Sequence, residues 1–324
     1  MMNMSKVKPI HIFEVYHDGR AKRLNVTDCH HPMSEDVSYR WVHLDLAEEG
    51  VRAWIETNVD KTVSQSLTLE DTRPRCTDHY DGLLLNLRGV NLNPDSDPED
   101  MVAIRMWIEK GMIVSVRLRR LMAIVAIRDE MENGQGPKNV GAFITKLSAA
   151  LTERMDPVIS GLADKIDELE EVMLDAPHGI RTDLADTRRK TIMLRRYIGP
   201  QRDALNRLGS ETHDLLDLAQ KTAVREVVDR ITRMVEEMDT VRERSAILYD
   251  QISDQRAEEM NRNMLILSVV AAIFLPLGFL TGLLGVNIGG IPGSSYEGSF
   301  VIFCAALIIM TFALVWWFKK KKWI

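Results

Sequence analysis

The sequence predicts an α+β chain: an N-terminal α/β domain, then very long helices, then two C-terminal transmembrane helices. Short apolar runs rich in strand formers occupy residues 1–150, and highly charged sequence with few strand formers occupies 151–263. Near the C-terminus, 264–286 and 299–318 contain no charged residue. Each of these two segments is long enough to cross a hydrocarbon core of about 30 Å as a helix.

The predicted α/β domain alternates strands, helices and turns. Gly111, which lies between two apolar runs, marks the turn of an antiparallel hairpin. A loop is predicted over 91–100, because Pro94 and Pro98 disfavour regular structure there. The predicted strands are 10–16, 40–46, 83–90, 101–108 and 112–118, and the predicted helices are 48–58 and 123–132.

Long helices are predicted across 151–263. One helix is expected over 138–175 and a second over 181–217, with a break that contains proline and glycine between them. A third helix has a three-and-four spacing of mostly apolar residues, which predicts a buried seam. The seam residues are Val227, Ile231, Met234, Met238, Val241, Ser245, Leu248 and Ile252. Because neither proline nor glycine interrupts 221–275, we expect this helix to continue into the membrane and to pack on other copies of the chain.

The flanks of the two apolar segments predict their orientation. Arg256 and Arg262 precede the first segment, and the tail 319–324 is rich in lysine. The connecting segment 287–298 contains no lysine or arginine. Positive charge stays on the cytoplasmic side, so we expect both termini in the cytoplasm and the chain in the inner (cell) membrane, in contact with lipid. Three tryptophans lie where an interfacial aromatic belt is expected: Trp316, Trp317 and Trp323.

Composition and motifs exclude several classes of protein. The net charge of −6 is modest and mixed along the sequence, which argues against nucleic acid as a partner. Three cysteines are too few and too scattered for a disulfide framework. The sequence contains no P-loop, no Gly-x-Ser-x-Gly and no His-Glu-x-x-His. We therefore expect no enzyme and no bound cofactor, and any transport must be passive or coupled to an ion gradient.

One face of the first apolar segment consists mainly of small residues. Starting from Met264, a spacing of three and four gives Ser268, Ala271, Leu275, Gly278, Gly282 and Gly285. Such a face either packs closely against another helix or surrounds a narrow axis. Asn287 follows this face, and it is either a helix C-cap or one member of a ring of amides that holds a hydrated cation.

Other side chains are candidates for metal binding. Cys29, His30 and His31 are adjacent, and Cys76 precedes His79 by three positions, but neither group has a second ligand pair at the spacing of a zinc finger. Each is either incidental or a regulatory zinc site.

Acidic residues on the long helices are predicted to be mostly solvated and paired with an arginine or lysine one turn away. They cluster within 164–171 and 236–239. Asp250 and Asp254, close to the first apolar segment, are the stronger candidates for a functional role, as an acidic ring at an inner pore entrance.

Together these features resemble the CorA-type divalent-cation transporter superfamily. Gly285-Val286-Asn287 is similar to its Gly-Met-Asn signature, with valine at the middle position. Three further segments resemble the ZntB zinc transporter branch: 288–293 after the signature, 70–75 (EDTRPR) and 82–89 (GLLLNLRG). The resemblance covers nearly the whole chain.

This resemblance implies a funnel-shaped homopentamer in which the first span of each subunit lines one pore. It assigns Gly285, Val286 and Asn287 to the external selectivity site and makes Met264 and Leu275 candidates for a hydrophobic constriction. The pore lining it implies is Met264, Ser268, Ala271, Leu275, Gly278 and Gly282. The transported ion is then Zn²⁺ or a similar transition-metal ion, held by Asn287 through its hydration shell, with coupling to protons as described for ZntB relatives.

Two alternatives remain at this point. The magnesium-channel branch of the superfamily usually carries an acidic residue soon after the asparagine, whereas Glu297 is the only charge of the external loop here. A CorA-type Mg²⁺/Co²⁺ channel would nevertheless use the same residues. A membrane-tethered coiled-coil scaffold would use the glycines for close packing alone.

Overall fold

The chain is described by a computed structural model for residues 9–25, 31–80, 82–175, 179–210, 215–286, 291, 293, 295–321 and 323. Two compact units make up the chain, Met1–Leu248 and Tyr249–Ile324. The first unit contains the whole sheet and the helices packed on it. The second contains the two apolar segments.

A seven-stranded mixed sheet forms the centre of the first unit, in the order β2-β1-β3-β7-β6-β5-β4. Only the β3–β7 pair is parallel, and all other neighbours are antiparallel. The strands are β1 His11–Tyr16, β2 Ala21–Arg23, β3 Val37–Asp45, β4 Arg75–His79, β5 Gly82–Gly89, β6 Val102–Glu109 and β7 Met112–Arg117. The five strands predicted from the sequence are all present, with ends shifted by up to three residues.

The predicted hairpin is confirmed at the turn between β6 and β7. Glu109 pairs with Met112, which leaves Lys110 and Gly111 as a two-residue loop. Gly111 has φ of +78°, a conformation that side chains with a Cβ rarely adopt. A two-residue loop of this kind fixes the register of both strands.

Two short helices, α1 (Val51–Asn58) and α2 (Lys61–Thr68), cover one face of the sheet. The Asp60 side chain caps α2 by accepting a hydrogen bond from the Thr62 N–H at 2.8 Å. Between sheet and helices lies a core of aliphatic residues with two tryptophans: Ile12, Val42, Leu44, Leu46, Val51, Trp54, Ile55, Val63, Leu67, Leu84, Trp107, Val114 and Val116.

The other face of the sheet is covered by α3 (Met122–Glu132) and by the start of α4 (Val140–Asp175). Phe143 of α4 lies 5.0 Å from the Trp41 ring, between ring centroids. Gly89 of β5 allows this helix to approach closely, because a Cβ at Gly89 would lie 2.7 Å from Leu151 Cδ2. The two faces of the sheet are therefore both buried, which explains why β5 is apolar at most of its positions.

The long helices agree with the sequence pattern. After α4, α5 runs over Ile180–Ser210, α6 over Leu218–Leu284 and α7 over Ser299–Lys320. All eight predicted seam residues of α6 are buried. The helix α6 has 67 residues and continues through Pro276.

Ion pairs join α6 to the two helices before it. Arg244 donates to Glu170 Oε1 at 2.8 Å and to Asp167 Oδ1 at 2.6 Å, both on α4. Arg195 of α5 donates to Asp239 of α6 at 3.3 Å. The hydrogen bond from Arg244 lowers the pKa of the Glu170 carboxyl. The predicted pairing one turn away is confirmed for Glu168 with Lys165 and for Asp239 with Arg242. Asp167 and Glu170 pair with a different helix instead.

Three elements were not predicted from the sequence: β2, β4 and α2. Each is short, and β4 (RCTDH) and α2 (KTVSQSLT) are polar at most positions. Their structure depends on partners, since β4 pairs along β5 from Arg75↔Asn86 to His79↔Gly82. The predicted end of α5 at 217 is also too late, because the described residues 215–217 are not helical.

Candidate functional site

The second unit contains two helical segments that are apolar enough and long enough to cross a membrane. They lie in α6 and in α7. Only 6% of the apolar window of α6, and 0% of that of α7, is buried within the chain. Since so much apolar surface is stable only out of water, these helices require lipid, further protein, or both around them.

Each spanning helix has one partly covered stripe. On α6, Val269 is buried and four residues after it are half-buried: Ile273, Pro276, Leu277 and Leu280. On α7, Phe318 is buried and the half-buried residues are Ser299, Phe303, Cys304, Leu307, Met310, Thr311, Leu314 and Val315. The spacing of three and four puts each set on a single helix face. This is the pattern of two helices that cover each other along one face each.

The predicted pore-lining face of α6 is exposed along its whole length: Met264, Ser268, Ala271, Leu275, Gly278 and Gly282. At about 100° per residue, this face lies on roughly the opposite side of α6 from the covered stripe. Leu275 is 78% exposed. No described atom lies within 4 Å of a Cβ built on Gly278 or Gly282. The small residues therefore make no close contact within the described part of this chain.

The signature segment begins where α6 ends. The Gly285 N–H donates to the Thr281 carbonyl oxygen at 2.9 Å, which continues the helical hydrogen bonding past Leu284. A Cβ at Gly285 would lie 2.8 Å from that same oxygen, so this position requires glycine or a shift of the backbone. Val286 is exposed, and Asn287 lies outside the described residues. The role of Gly285, Val286 and Asn287 in selectivity stays a prediction.

Asp250 and Asp254 differ from Asp239, which lies further back on α6. Both are exposed, and neither forms an ion pair or a hydrogen bond through its side chain with another described residue. Asp239, in contrast, pairs with Arg195 and Arg242. The side chains of Asp250 and Asp254 are thus free to attract mobile cations, as an inner pore entrance would require.

An aromatic and basic cluster closes the C-terminal end of α7. The Lys320 ammonium lies 5.1 Å from the centroid of the Trp316 ring. The Trp323 ring lies 6.3 Å from that of Trp317 and 5.8 Å from that of Phe318. Aromatic rings beside lysines at the end of an apolar helix are typical of a membrane interface.

The predicted zinc ligands do not form a metal site within the described part of the chain. Cys29 and His30 lie outside it, and His31 is exposed. A regulatory site at Cys29, His30 and His31 therefore stays a prediction. No group of three or more His, Cys, Asp or Glu side chains suited to a metal occurs among the described residues.

For Cys76 and His79 the structure supports the first alternative, an incidental match. Both residues belong to strand β4, where positions three apart point to opposite faces. Cys76 is buried, whereas the His79 imidazole lies 2.9 Å, Nε2 to Oδ1, from Asp60. The two side chains cannot share a metal ion in this conformation.

Two buried histidines were not anticipated from the sequence. His11 and His43 lie opposite each other on β1 and β3, with ring centroids 4.9 Å apart. Burial, with smaller effects of Arg128, Arg23 and Arg117, lowers the pKa of His11 to about 3. Burial also lowers the pKa of His43. The nearby arginines disfavour a cation here, so these uncharged rings are core residues.

The two upstream segments that carry the ZntB resemblance meet around Arg88. Its guanidinium donates to the carbonyl oxygens of Thr72 and Met101, at 2.9 and 3.0 Å, and to Asp71 Oδ1 at 2.8 Å. It also lies 3.9 Å from the centroid of the Tyr197 ring on α5. The segments 70–75 and 82–89 thus form one connected network that joins the sheet to α5.

Comparison with known families agrees with this architecture. The family described as CorA-like Mg2+ transporter protein matches residues 36–320. The chain belongs to this family, whose members are ion transporters and not enzymes.

The most similar relatives include zinc transporters. The zinc transport protein ZntB of Yersinia enterocolitica serotype O:8 / biotype 1B is 36% identical over 286 residues, which cover 88% of each chain. Among solved structures, the full-length CmaX protein has a TM-score of 0.83 and 32% identity, over 97% of this chain and 98% of CmaX.

The fold is shared more widely. The CorA magnesium transporter from Methanocaldococcus jannaschii has a TM-score of 0.81 over 98% of this chain and 100% of its own, at 16% identity. At that identity the likeness concerns the fold alone. The mixed α/β domain, the long helices and the two C-terminal apolar helices of this chain therefore belong to a fold that it shares with that transporter.

Proposed function

We propose that the chain forms a homopentamer in the inner membrane that transports Zn²⁺ and related divalent transition-metal cations. The observation that carries this proposal is the open face of small residues on α6, opposite the stripe that the chain itself covers. Five such faces around one axis would enclose a narrow pore without filling it with side chains. Both termini lie in the cytoplasm in this proposed arrangement, which the positive charges flanking the spans support.

The proposed path has three parts. At the outer mouth, Gly285 and Val286 position Asn287, and a ring of Asn287 amides holds a hydrated cation through its water molecules. Along the span, Met264 and Leu275 form hydrophobic constrictions, and Ser268, Ala271, Gly278 and Gly282 complete the lining. At the inner end, Asp250 and Asp254 raise the local concentration of cations.

The choice of Zn²⁺ rests on two observations. Relatives that are 36% identical over most of the chain carry the name zinc transport protein. The described part of the external loop has a single charged residue, Glu297, so it provides little negative charge to attract the strongly hydrated Mg²⁺. Since the sequence contains no nucleotide-binding motif, transport is passive or coupled to an ion gradient. We propose coupling to protons because the resemblance to ZntB transporters implies it.

A second candidate function is passage of Mg²⁺ or Co²⁺ through the same pore. The description of the matching family, CorA-like Mg2+ transporter protein, favours it. The third interpretation considered above, a membrane-tethered scaffold, is not retained because the family consists of ion transporters.

The test is a flux measurement with the purified full chain in proteoliposomes. Uptake of Zn²⁺ and of Mg²⁺ is recorded with and without a pH gradient, for the wild type and for Asn287→Ala. The matched control is Asn263→Ala, which removes an exposed amide of α6 that is not part of the proposed lining. We expect Zn²⁺ flux that follows the pH gradient, about 10-fold lower flux in Asn287→Ala, in line with the loss of one ring of polar contacts worth about 1.4 kcal/mol, and no change in the control.

The other outcomes separate the candidates. Mg²⁺ flux that ignores the pH gradient would replace the zinc proposal with the magnesium channel. Equal Zn²⁺ flux in Asn287→Ala and in wild type would remove Asn287 from the selectivity site. Monomers or dimers of the purified chain in mild detergent, measured by mass photometry, would contradict the pentamer.

A further inference from the structure

The C-terminal end of α7 carries a basic cluster that has no acidic counterpart. Four consecutive lysines occupy 319–322, and the segment 299–324 contains neither Asp nor Glu. Lys319, Lys320 and Lys321 are exposed, and none of their ammonium groups forms an ion pair with a carboxylate of the described residues. The Lys320 ammonium lies over the Trp316 ring instead. The positive charge of this end is therefore available to a partner outside the described part of the chain.

The spanning part of α6 adds a further positive charge at a similar depth. The helix α7 has 22 residues and is therefore about 33 Å long. The same length measured back along α6 from its end at Leu284 reaches Asn263. The adjacent Arg262 is exposed, and its guanidinium forms no ion pair with a described carboxylate. The first carboxylate beyond it, that of Glu259, is about one helical turn further from the spanning segment.

Three tryptophans surround the lysines and hold the end of the helix in a defined arrangement. The Trp323 N–H donates to the Phe318 carbonyl oxygen at 3.1 Å, so the chain turns back at the helix end. This turn places the Trp323 ring against the rings of Phe318 and Trp317. Trp316, Trp317 and Trp323 are exposed, and their indole N–H groups donate to no acceptor of the described residues. Ammonium and indole donors thus lie together beside an apolar surface.

We propose that this end of α7 binds the phosphodiester headgroup of an anionic phospholipid such as phosphatidylglycerol. The lysines supply the opposite charge, and the indole N–H groups donate to the phosphate oxygens. The acyl chains of the same lipid lie along an exposed apolar face of α7 that includes Ile309, Phe312 and Trp316. A zwitterionic phospholipid brings its own positive group, which the lysines repel. The site therefore selects an anionic lipid over phosphatidylcholine.

A lipid site differs from lysines that only orient the span. Positive charges that set orientation need no fixed arrangement of neighbouring side chains. Here the lysines lie on a helix end that the returning Trp323 holds in place, and the donors around them are unused within the described part of the chain. A preference for one headgroup follows from a site and not from orientation alone. The lipid site is independent of which cation the chain transports.

Tryptophan fluorescence of the purified full chain tests this lipid site. The chain has six tryptophans, of which three lie at this end of α7. The other three are buried in the first unit and give a constant background: Trp41, Trp54 and Trp107. The chain is reconstituted in phosphatidylcholine vesicles that contain an increasing fraction of one brominated lipid, because bromine quenches indole fluorescence on contact. We expect brominated phosphatidylglycerol to reach half-maximal quenching at about a 5-fold lower fraction than brominated phosphatidylcholine, the ratio that about one lysine supplies at an anionic surface.

Replacing the lysines should remove the lipid preference and leave the quenching itself. In the quadruple variant Lys319→Gln/Lys320→Gln/Lys321→Gln/Lys322→Gln, both brominated lipids should quench at the same fraction. Arg256 and Arg262 still orient the spans in this variant. The matched control removes four exposed lysines of the first unit and should keep the full preference: Lys22→Gln, Lys61→Gln, Lys110→Gln and Lys138→Gln.

Contradicting results are equally direct. Equal quenching of the wild type by the two lipids, or a preference that survives in the quadruple variant, would overturn the proposal. Sodium phosphate in place of sodium chloride at the same ionic strength should leave the preference unchanged, whereas its loss would assign the site to free phosphate instead of lipid. If the quadruple variant does not insert, Lys320→Gln decides: a preference lowered about 2-fold or more supports the site, and an unchanged preference refutes it.

Discussion

Two regions of one helix, α6, behave in opposite ways. From Val227 to Ile252 its apolar seam is buried within the chain, and Arg244 and Asp239 pair with residues of α4 and α5. From Met264 to Gly282 the face predicted by the same spacing rule is exposed throughout. The same three-and-four pattern therefore corresponds to two different environments. The first face packs against its own chain, whereas the second is left to contact other copies, lipid or water.

The difference in burial also predicts which residues of α6 affect stability and which affect transport. Residues of the first region hold the fold, so their substitution should be measured as a loss of stability. Residues of the second region contact little within the described chain, so their substitution should leave the fold unchanged and alter assembly or flux. Matched pairs of residues, one from each region, test this division.

The largest expected effect comes from the matched pair Met238 and Met264. Met238 is 0% exposed in the seam, whereas Met264 is 54% exposed. We expect Met238→Ala to cost about 2–5 kcal/mol of unfolding free energy, because it leaves a cavity among packed side chains. Met264→Ala should cost less than about 0.5 kcal/mol, since little packs on it.

Chemical unfolding of the full chain in detergent, followed by circular dichroism, measures both variants. The Met264→Ala protein should then show altered cation flux in proteoliposomes at normal stability. If both substitutions destabilise the chain equally, the second region is packed within the monomer and the division fails.

The substitution Gly282→Ala should have a smaller effect than Met238→Ala. It should keep or raise thermal stability while it lowers cation flux. Alanine favours a helix over glycine by about 1 kcal/mol, and a Cβ at Gly282 meets no described atom within 4 Å. We therefore expect Gly282→Ala to keep or slightly raise Tm. Because the added methyl groups crowd an axis shared by several copies, flux should fall about 3-fold or more, a change of about 0.7 kcal/mol or more.

Leu284→Ala is the control for this substitution, since Leu284 is an exposed residue of α6 outside the predicted pore-lining set. Unchanged flux in Gly282→Ala would mean that this face contacts only lipid. A clear loss of Tm would mean that it packs against protein inside the chain.

Much of the fold was predictable because it depends on local pattern. Strands such as β1 and β7 have apolar, β-branched sequences, and the seam of α6 has an unbroken helical period. The strand β4 and the helix α2 were missed because their sequences are short and polar. Pairing with β5, and packing on the core, decide their structure, and neither is visible in a single segment.

The buried polar side chains of the sheet show a second limit of sequence reasoning. Asn86, Arg88 and Arg105 lie within strands that are otherwise apolar, and this contrast was the one available signal. The strand register reveals that Asn86 and Arg105 are cross-strand partners. The tertiary packing reveals that Arg88 contacts Asp71 and Tyr197. In the membrane part, composition alone predicted the two spans. The structure adds nothing on Asn287, which lies outside the described residues.

The smallest expected effect concerns the acidic residues on either side of the division. Asp250 and Asp254 are exposed and unpaired among the described residues, whereas Asp239 pairs with Arg195 and Arg242. We expect the double variant Asp250→Asn/Asp254→Asn to lower cation flux about 2-fold at low ionic strength, because free carboxylates attract cations to an inner entrance. At about 0.5 M salt the difference should vanish, since the Debye length is then only about 4 Å.

Asp239→Asn should show the opposite profile, with unchanged flux and a stability loss of at most about 1 kcal/mol, as for other partly exposed ion pairs. Flux measured in the same proteoliposomes at low and high salt compares the three proteins directly. If Asp239→Asn reduced flux as much as the double variant, paired and unpaired carboxylates would serve the pathway equally. The difference between the buried and the exposed region of α6 would then hold for its apolar residues but not for its carboxylates.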